Sequence, residues 1–137
     1  MMTFTPFQRN NLAWFGAVAS TLFIAYISLV PAQNEPEFAD LQQYGILFLD
    51  KILHLIAYGG LTFLFLCTSQ LRRYPRATCL ALILYGSLLE LTQGLLPLGR
   101  EFSLFDALAN VLGVLIIGSA FLYRQKKQKA RRLLSSG

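Results

Sequence analysis

Charged residues are scarce in this chain, since Asp, Glu, Lys and Arg together make up 14% of its 137 residues. A soluble domain carries about 25% of these residue types, and the apolar content of 55% is too high for one. The chain also has no G-x-S-x-G, no H-E-x-x-H and no P-loop, so no known catalytic signature assigns a reaction. Composition therefore predicts a single membrane domain over residues 1–137.

Four apolar stretches approach the roughly 20 residues that a helix needs to cross a bilayer. They predict an all-α membrane protein with four transmembrane helices, at approximately Leu12–Val30, Ile46–Ser69, Ala77–Leu96 and Leu104–Tyr123. The first stretch is too long for the apolar part of a signal peptide, so we expect it to remain a membrane helix. Between the first and second helices, Phe38, Leu41, Gly45 and Phe48 recur at helical spacing. This spacing predicts a short amphipathic helix on the outer surface.

Cations and carboxylates lie at opposite ends of the apolar stretches. A cytoplasmic N-terminus places Arg9, the connection 72–76 and the tail 124–137 inside, and leaves Lys51 and Arg100 outside. The positive-inside rule therefore predicts that both termini are cytoplasmic. A basic run directly after a membrane helix is typical of anchoring to anionic lipid headgroups, so we expect no nucleic-acid partner.

All seven carboxylates lie at the predicted outer end, some of them within or beside apolar segments. Ionisable groups at membrane depth are costly, so they indicate a functional site. Polar residues descend each helix at helical spacing, in three sets: Asp50, His54 and Tyr58; Glu90 and Gln93; Asp106 and Asn110. Glu90 lies about 10 Å below the outer end of its helix. The three sets reach similar depth and predict a shared polar pocket.

Several of these residues also suit a purely structural role. Asp50 and Asp106 begin helices whose N-termini face outward, so either carboxylate can cap its helix. Lys51 can extend outward to water. Packing or interhelical hydrogen bonding can explain the remaining polar residues, Tyr58, Gln93 and Asn110.

Glu90 and His54 are harder to explain by structure alone. Glu90 lies near the C-terminal end of its helix, where the helix dipole disfavours an anion. Its carboxyl group must be protonated, paired with a cation such as His54, or exposed to a wet cavity. A buried structural pair remains an alternative, and a functional cavity is the preferred interpretation.

The polar residues form three spaced blocks that resemble the VanZ-like family of small bacterial membrane proteins. The blocks are Asp50-Lys51-x-x-His54-x-x-x-Tyr58, then Tyr85-Gly86-x-x-x-Glu90-x-x-Gln93, then Pro97-x-x-Arg100-x-x-Ser103-x-x-Asp106-x-x-x-Asn110-x-x-Gly113. The resemblance covers residues 50–118. One departure is that a glycine expected four residues after Gly113 is displaced, with Ile117 in its place and Gly118 following.

The resemblance implies a multi-pass protein of the bacterial cytoplasmic membrane. The family takes its name from a teicoplanin-resistance accessory factor. The motif-bearing part is 50–118, and residues 124–137 form a basic cytoplasmic tail without a motif. The functional residues that the resemblance implies are Asp50, His54, Glu90, Gln93, Arg100, Asp106 and Asn110.

The first candidate function is binding of a lipid headgroup, or of a lipid-linked envelope precursor, in the outer leaflet. Such binding can alter susceptibility to teicoplanin. Lys51 and Arg100 at the mouth can bind phosphate, and outward-facing helix N-termini favour anions. The expected ligand-binding residues are Asp50, Lys51, Tyr58, Gln93, Arg100 and Asn110. Carboxylates beneath the mouth weigh against this function unless they are protonated or bound to a metal.

Two alternatives remain open. A metal-assisted hydrolase or transferase would act on a lipid phosphate, with Mg²⁺, Ca²⁺ or Mn²⁺ on Asp50, Glu90 and Asp106. Its candidate catalytic residues are His54 as general base, Glu90 and Asp106. A proton-coupled transport component is the second alternative. It would need a homo-oligomer or a polar path to the cytoplasm, and the inner halves of helices two to four contain no acids.

Overall fold

The computed structural model describes residues 5–34, 48–99 and 101–135, and these residues form an all-helical bundle. Its long helices are α1 (Pro6–Leu29), α2 (Leu49–Cys67), α3 (Pro75–Leu95) and α4 (Leu104–Ser135). Each is long and apolar enough to cross a membrane, which confirms the predicted all-α fold with four candidate spans. Short 3-10 turns follow α1 and α2, at Ala32–Asn34 and Leu71–Arg73. The predicted outer-surface helix falls within residues 35–47, outside the described residues, and the direction of insertion stays a prediction.

Two helix boundaries differ from those predicted from hydropathy. Helix α1 begins at Pro6 because Thr5 forms a capping box, in which its hydroxyl accepts from the Gln8 N–H and the Gln8 side chain accepts from the Thr5 N–H. Helix α4 continues past Tyr123 to Ser135, so most of the basic tail is helical. That segment consists mainly of Gln, Lys, Ala, Arg and Leu, which are strong helix formers, and no proline or glycine interrupts it.

Helix α2 lies at the centre of the bundle and packs against all three other helices. Its closest partner is α4, because Gly113 has no side chain to separate the two backbones. A Cβ at Gly113 would overlap the Leu55 carbonyl and would lie 2.9 Å from the Gly59 nitrogen. Such direct backbone contact is typical of small residues at membrane helix interfaces. Gly118, the displaced glycine of the family pattern, faces the Cys79 sulfur of α3 instead.

Helix α1 is held less by packing than by hydrogen bonds, since Ala17 is its only buried residue among those described. The Tyr85 hydroxyl of α3 donates to the Thr21 carbonyl at 2.7 Å. At the other end, the Trp14 indole donates to the Gln70 side chain at 3.0 Å and packs edge-on against Phe65. The rest of α1 presents large apolar side chains outward, as lipid-facing helices do.

Gly113→Ala is expected to destabilise the bundle by about 1–3 kcal/mol, because the added methyl group forces α2 and α4 apart. The matched control is Gly60→Ala, where a Cβ would meet nothing within 4 Å. Alanine there should be neutral or stabilising by up to about 1 kcal/mol, through helix propensity. Thermal unfolding of both variants in the same detergent measures the difference. Equal effects at the two glycines would contradict the close approach of α2 and α4.

Candidate functional site

The ends of α2, α3 and α4 that bear the polar residues converge on one cluster. A ring nitrogen of His54 and carboxylate oxygens of Glu90 and Asp106 all lie within 4.8 Å of one another. The His54 Nδ1 atom is 3.7 Å from the Glu90 Oε1 atom. Only 3% of Glu90 is exposed. The structure therefore places the three predicted catalytic residues within reach of a common ligand, and their function stays a prediction.

Neither aspartate is the N-cap of its helix. Ser103 caps α4, since its Oγ accepts from the Asp106 N–H at 3.2 Å and its carbonyl accepts from the Ala107 N–H. Helix α2 begins after Phe48, which has a positive φ of 60° and makes no side-chain cap. Asp50 and Asp106 both lie in first turns, where the helix dipole still favours an anion. The suggestion that these residues are N-caps was therefore wrong, and the helix dipole remains a structural alternative for both.

Asn110 of α4 is hydrogen-bonded to the imidazole of His54. The His54 Nδ1 and Asn110 Oδ1 atoms are 2.9 Å apart, and since an amide oxygen only accepts, Nδ1 carries the proton in this arrangement. Asn110 is almost fully buried, and its Nδ2 atom makes no hydrogen bond of regular geometry among the described residues, although it lies near enough to the Glu90 carboxylate to interact with it. Asn110 thus connects His54 to Glu90 within the cluster, and its amide nitrogen could form a better hydrogen bond with a ligand or water.

Lys51 points into the cluster rather than out to water. Its Nζ atom contacts Asp50 and lies 2.9 Å from the Asp106 Oδ1 atom. Extension to water was one alternative for Lys51, and the structure instead shows its ammonium group beside two carboxylates while part of the side chain stays exposed. Among the described residues, three carboxylates face one lysine and one histidine. These groups together are therefore net negative unless two of them take up a proton.

Other predicted site residues lie at the edge of this cluster or away from it. Tyr58 is one turn below His54, and its ring packs so closely on α3 that a Cβ at Gly86 would lie 2.7 Å from it. Gln93 donates its amide to the Ser28 carbonyl of α1 at 2.8 Å, the interhelical role given above as its alternative. Arg100 lies outside the described residues. Asp50 contacts Lys51. The residues close enough to hold one metal ion are His54, Glu90 and Asp106, whereas the sequence predicted Asp50 in place of His54.

The polar cluster does not continue toward the other end of the helices. Below it lies the apolar core of the bundle, made by Tyr58, Leu61, Leu82 and Val114. These four residues are nearly inaccessible to solvent. In the described part of the chain, polar access to the cluster is thus confined to one end of the bundle.

Ser103 is a residue whose role the sequence reasoning missed, although the signal was present. Ser103 and Asp106 form a Ser-x-x-Asp pattern directly before an apolar run, which resembles the start of a capped helix. No sequence pattern predicts the surroundings of the Asn110 amide group, because they depend on how three helices pack together.

The family model described as VanZ/LLP1 matches residues 1–124 of the chain. Comparison with curated proteins gave no match, and neither did comparison with solved structures. The matched range includes the parts of α2, α3 and α4 that carry the polar cluster. It ends at Arg124, where the basic segment of α4 begins.

Ser103→Ala is expected to destabilise the protein by about 1 kcal/mol, since the first turn of α4 loses its cap. Ser103→Thr should retain most of the stability, because threonine also caps helices. Thermal unfolding of the two variants beside the wild type gives the comparison. A loss of equal size in both would show that the hydroxyl group does not act as the cap.

Proposed function

We propose that this multi-pass membrane protein, which belongs to the VanZ/LLP1 family, binds the phosphate of a membrane lipid at its polar cluster through a divalent cation. The cation would be held by His54, Glu90 and Asp106. The observation that supports this function is the convergence of one imidazole and two carboxylates within 4.8 Å in a net negative cluster. The two carboxylates of this group repel each other, and a bound cation would relieve that repulsion.

A cation explains how a negative cluster can accept a negative headgroup. Direct binding of phosphate would place it beside Glu90 and Asp106, which carry the same sign of charge. A divalent ion would neutralise the two carboxylates and would attract phosphate oxygens, as Mg²⁺ and Mn²⁺ do in phosphate-binding sites. The proposal therefore combines the headgroup binding and the metal ligation that the sequence left as separate alternatives.

The donor set favours Mn²⁺ among the three cations expected from the sequence. Carboxylate and amide oxygens suit Mg²⁺, Ca²⁺ and Mn²⁺, whereas an imidazole nitrogen is preferred by transition metals. Asn110 Oδ1 lies 2.9 Å from His54 Nδ1, a separation common between neighbouring ligands of one ion. This amide oxygen would thus become a fourth protein ligand once the His54 proton moves to the other ring nitrogen.

Lys51 supplies a second step in the same proposal. In the cation-free site its ammonium group neutralises Asp106 at 2.9 Å. A divalent cation on Asp106 would weaken that attraction and release Lys51 toward the lipid phosphate. The cation would therefore bind first and the headgroup second.

We place this site in the outer leaflet of the bacterial cytoplasmic membrane, because most cations of the chain are at the opposite end. A lipid-linked envelope precursor has the required combination of an apolar chain and a phosphate. Binding of such a precursor would offer a route to altered teicoplanin susceptibility, the property after which the family is named.

Hydrolysis or transfer at the lipid phosphate is the second candidate function. It is favoured by the 3.7 Å separation of His54 Nδ1 and Glu90 Oε1, since a carboxylate beside an imidazole orients it as a general base. The cation would then rest on the carboxylates and polarise the phosphate. Release of a free headgroup from a lipid phosphate, lost in His54→Ala, would favour this function over binding alone.

Glu90→Gln is expected to weaken Mn²⁺ binding by about a hundredfold, because it removes a buried anionic ligand. The matched control is Glu101→Gln, which removes an exposed carboxylate at the same end of the bundle. Titration of the purified protein with Mn²⁺ in detergent, followed by calorimetry, measures both affinities. Absence of Mn²⁺ binding by the wild type, or an equal loss in the two variants, would contradict the cation site.

Lys51→Gln is expected to change the two binding steps in opposite directions. Mn²⁺ should bind about tenfold more tightly, since a competing positive charge is removed from Asp106. A long-chain isoprenyl phosphate, added to the Mn²⁺-loaded protein, should bind more weakly because its phosphate loses a cationic partner. Native mass spectrometry with and without EDTA separates the steps. Weaker binding of Mn²⁺ in this variant would show that Lys51 does not compete with the cation.

A further inference from the structure

At the end of the bundle opposite to the polar cluster, we propose a second lipid site. It is a groove bounded by α1, α2 and α4, called here the basic groove. Its occupant would be a diacyl phospholipid with an anionic headgroup, bound through Arg9, Arg72 and Arg124. This proposal is independent of the cation site, since the two share no residue.

The basic groove exists because α1 and α4 pack on α2 without forming a helix pair with each other. Residues of α2 form its floor, and the two outer helices form its walls. Its volume is about 1240 Å³, more than the roughly 300–1,000 Å³ of pockets for drug-sized ligands. A space of this size accommodates the upper parts of acyl chains as well as a headgroup.

The inner surface of the basic groove is mainly apolar. Its walls include Leu12 of α1, Phe63 and Leu64 of α2, and Ile117 and Phe121 of α4. Along α4 the surface extends from Ile117 to Arg124, about 10 Å at 1.5 Å per residue. An acyl chain lying along this surface would have its headgroup at the level of the arginine.

Three arginines from three separate segments border the basic groove. Arg9 belongs to the first turns of α1, Arg72 to the turn after α2, and Arg124 to α4. All three are exposed, and none forms a salt bridge in the part of the chain that the structure describes. The Arg72 carbonyl accepts from the Gln125 side chain at 3.1 Å, which holds this turn beside α4. One guanidinium group can bind two phosphate oxygens at once, so these three arginines suit the phosphate of a phospholipid.

The positive-inside rule explains why arginines occur at this end, but not why three of them border one groove. Arg73 and Arg76 lie in the same connection as Arg72 and are equally exposed, yet they do not line the groove. These two residues, with Arg131 further along α4, provide a control set of equal charge. If charge alone determines lipid binding, replacing either set of three arginines should have the same effect.

A lipid fits the basic groove better than the alternative occupants do. Inorganic phosphate would use the arginines but leave the apolar walls exposed, and these walls belong to helices apolar enough to lie in a bilayer. A second copy of the chain would bring its own arginines to the same place, and like charges would then repel one another. Anionic phospholipids combine both required chemistries, and basic pockets between membrane helices are known to bind them.

The test compares two triple variants with the wild type. The groove variant is Arg9→Gln/Arg72→Gln/Arg124→Gln, and the control variant is Arg73→Gln/Arg76→Gln/Arg131→Gln. Each protein is placed in mixed micelles with equal amounts of phosphatidylglycerol and phosphatidylcholine, in EDTA so that no divalent cation contributes. Native mass spectrometry then measures the retained lipid.

The wild type and the control variant should retain phosphatidylglycerol in preference to phosphatidylcholine. In the groove variant, this preference should fall about fivefold for each arginine replaced, and about a hundredfold in total. Equal retention of the two lipids by the wild type would overturn the proposal. An equal loss in both variants would also overturn it, since bulk charge would then be the cause.

The single variant Arg124→Gln keeps the test valid if the triple variants fold poorly. Arg124 is exposed, and its replacement by glutamine suits a helix, so the fold should be preserved. It should lower the lipid preference about fivefold, whereas Arg131→Gln should leave it unchanged. An equal preference in these two single variants would contradict the basic groove as a phospholipid site.

Discussion

The direct contact of α2 and α4 at Gly113 is the constraint on which the polar cluster depends. With no side chain at this position, the α4 backbone lies against the Leu55 carbonyl and the Gly59 nitrogen. Asn110 is one turn from Gly113 along α4, and His54 is adjacent to Leu55 on α2, so the contact sets their hydrogen bond. Without it, neither this bond nor the approach of Lys51 to Asp106 would be available. Close packing thus replaces the hydrophobic effect, which supplies little force between helices in lipid.

The two ends of the bundle differ in the sign of their charge, and this difference gives each end its chemistry. At one end, the carboxylates of Glu90 and Asp106 on two helices lie beside His54 of a third helix, an arrangement that suits a cation. At the other end, arginines that form no salt bridge among the described residues carry a positive charge that suits an anion. The apolar core around Leu61 and Val114 separates the ends and prevents them from neutralising each other. The two proposed sites therefore lie at opposite ends of the same helical bundle.

Much of the fold could be predicted because membrane helices leave strong local signals. Apolar length gave the four spans, and spacings of three or four residues placed His54, Glu90 and Asp106 on faces at similar depth. The remaining features depend on which faces meet, and one sequence does not determine that. Lys51 turns inward because two carboxylates from different helices meet it, and Gln93 is used by the Ser28 carbonyl because α1 packs beside α3. Which polar residues form a site is therefore easier to predict from one sequence than which neighbours each of them contacts.

If the cluster is a cation site, pulsed electron paramagnetic resonance of the Mn²⁺-loaded protein will identify the atoms that bind the ion. The chain contains one histidine, so any imidazole nitrogen coupled to the ion in a protein without a histidine tag must belong to His54. We expect a nitrogen coupling in the wild type that disappears in His54→Ala. An ion surrounded only by water and carboxylates would contradict the ligand set proposed here, and absence of bound Mn²⁺ would contradict the site itself.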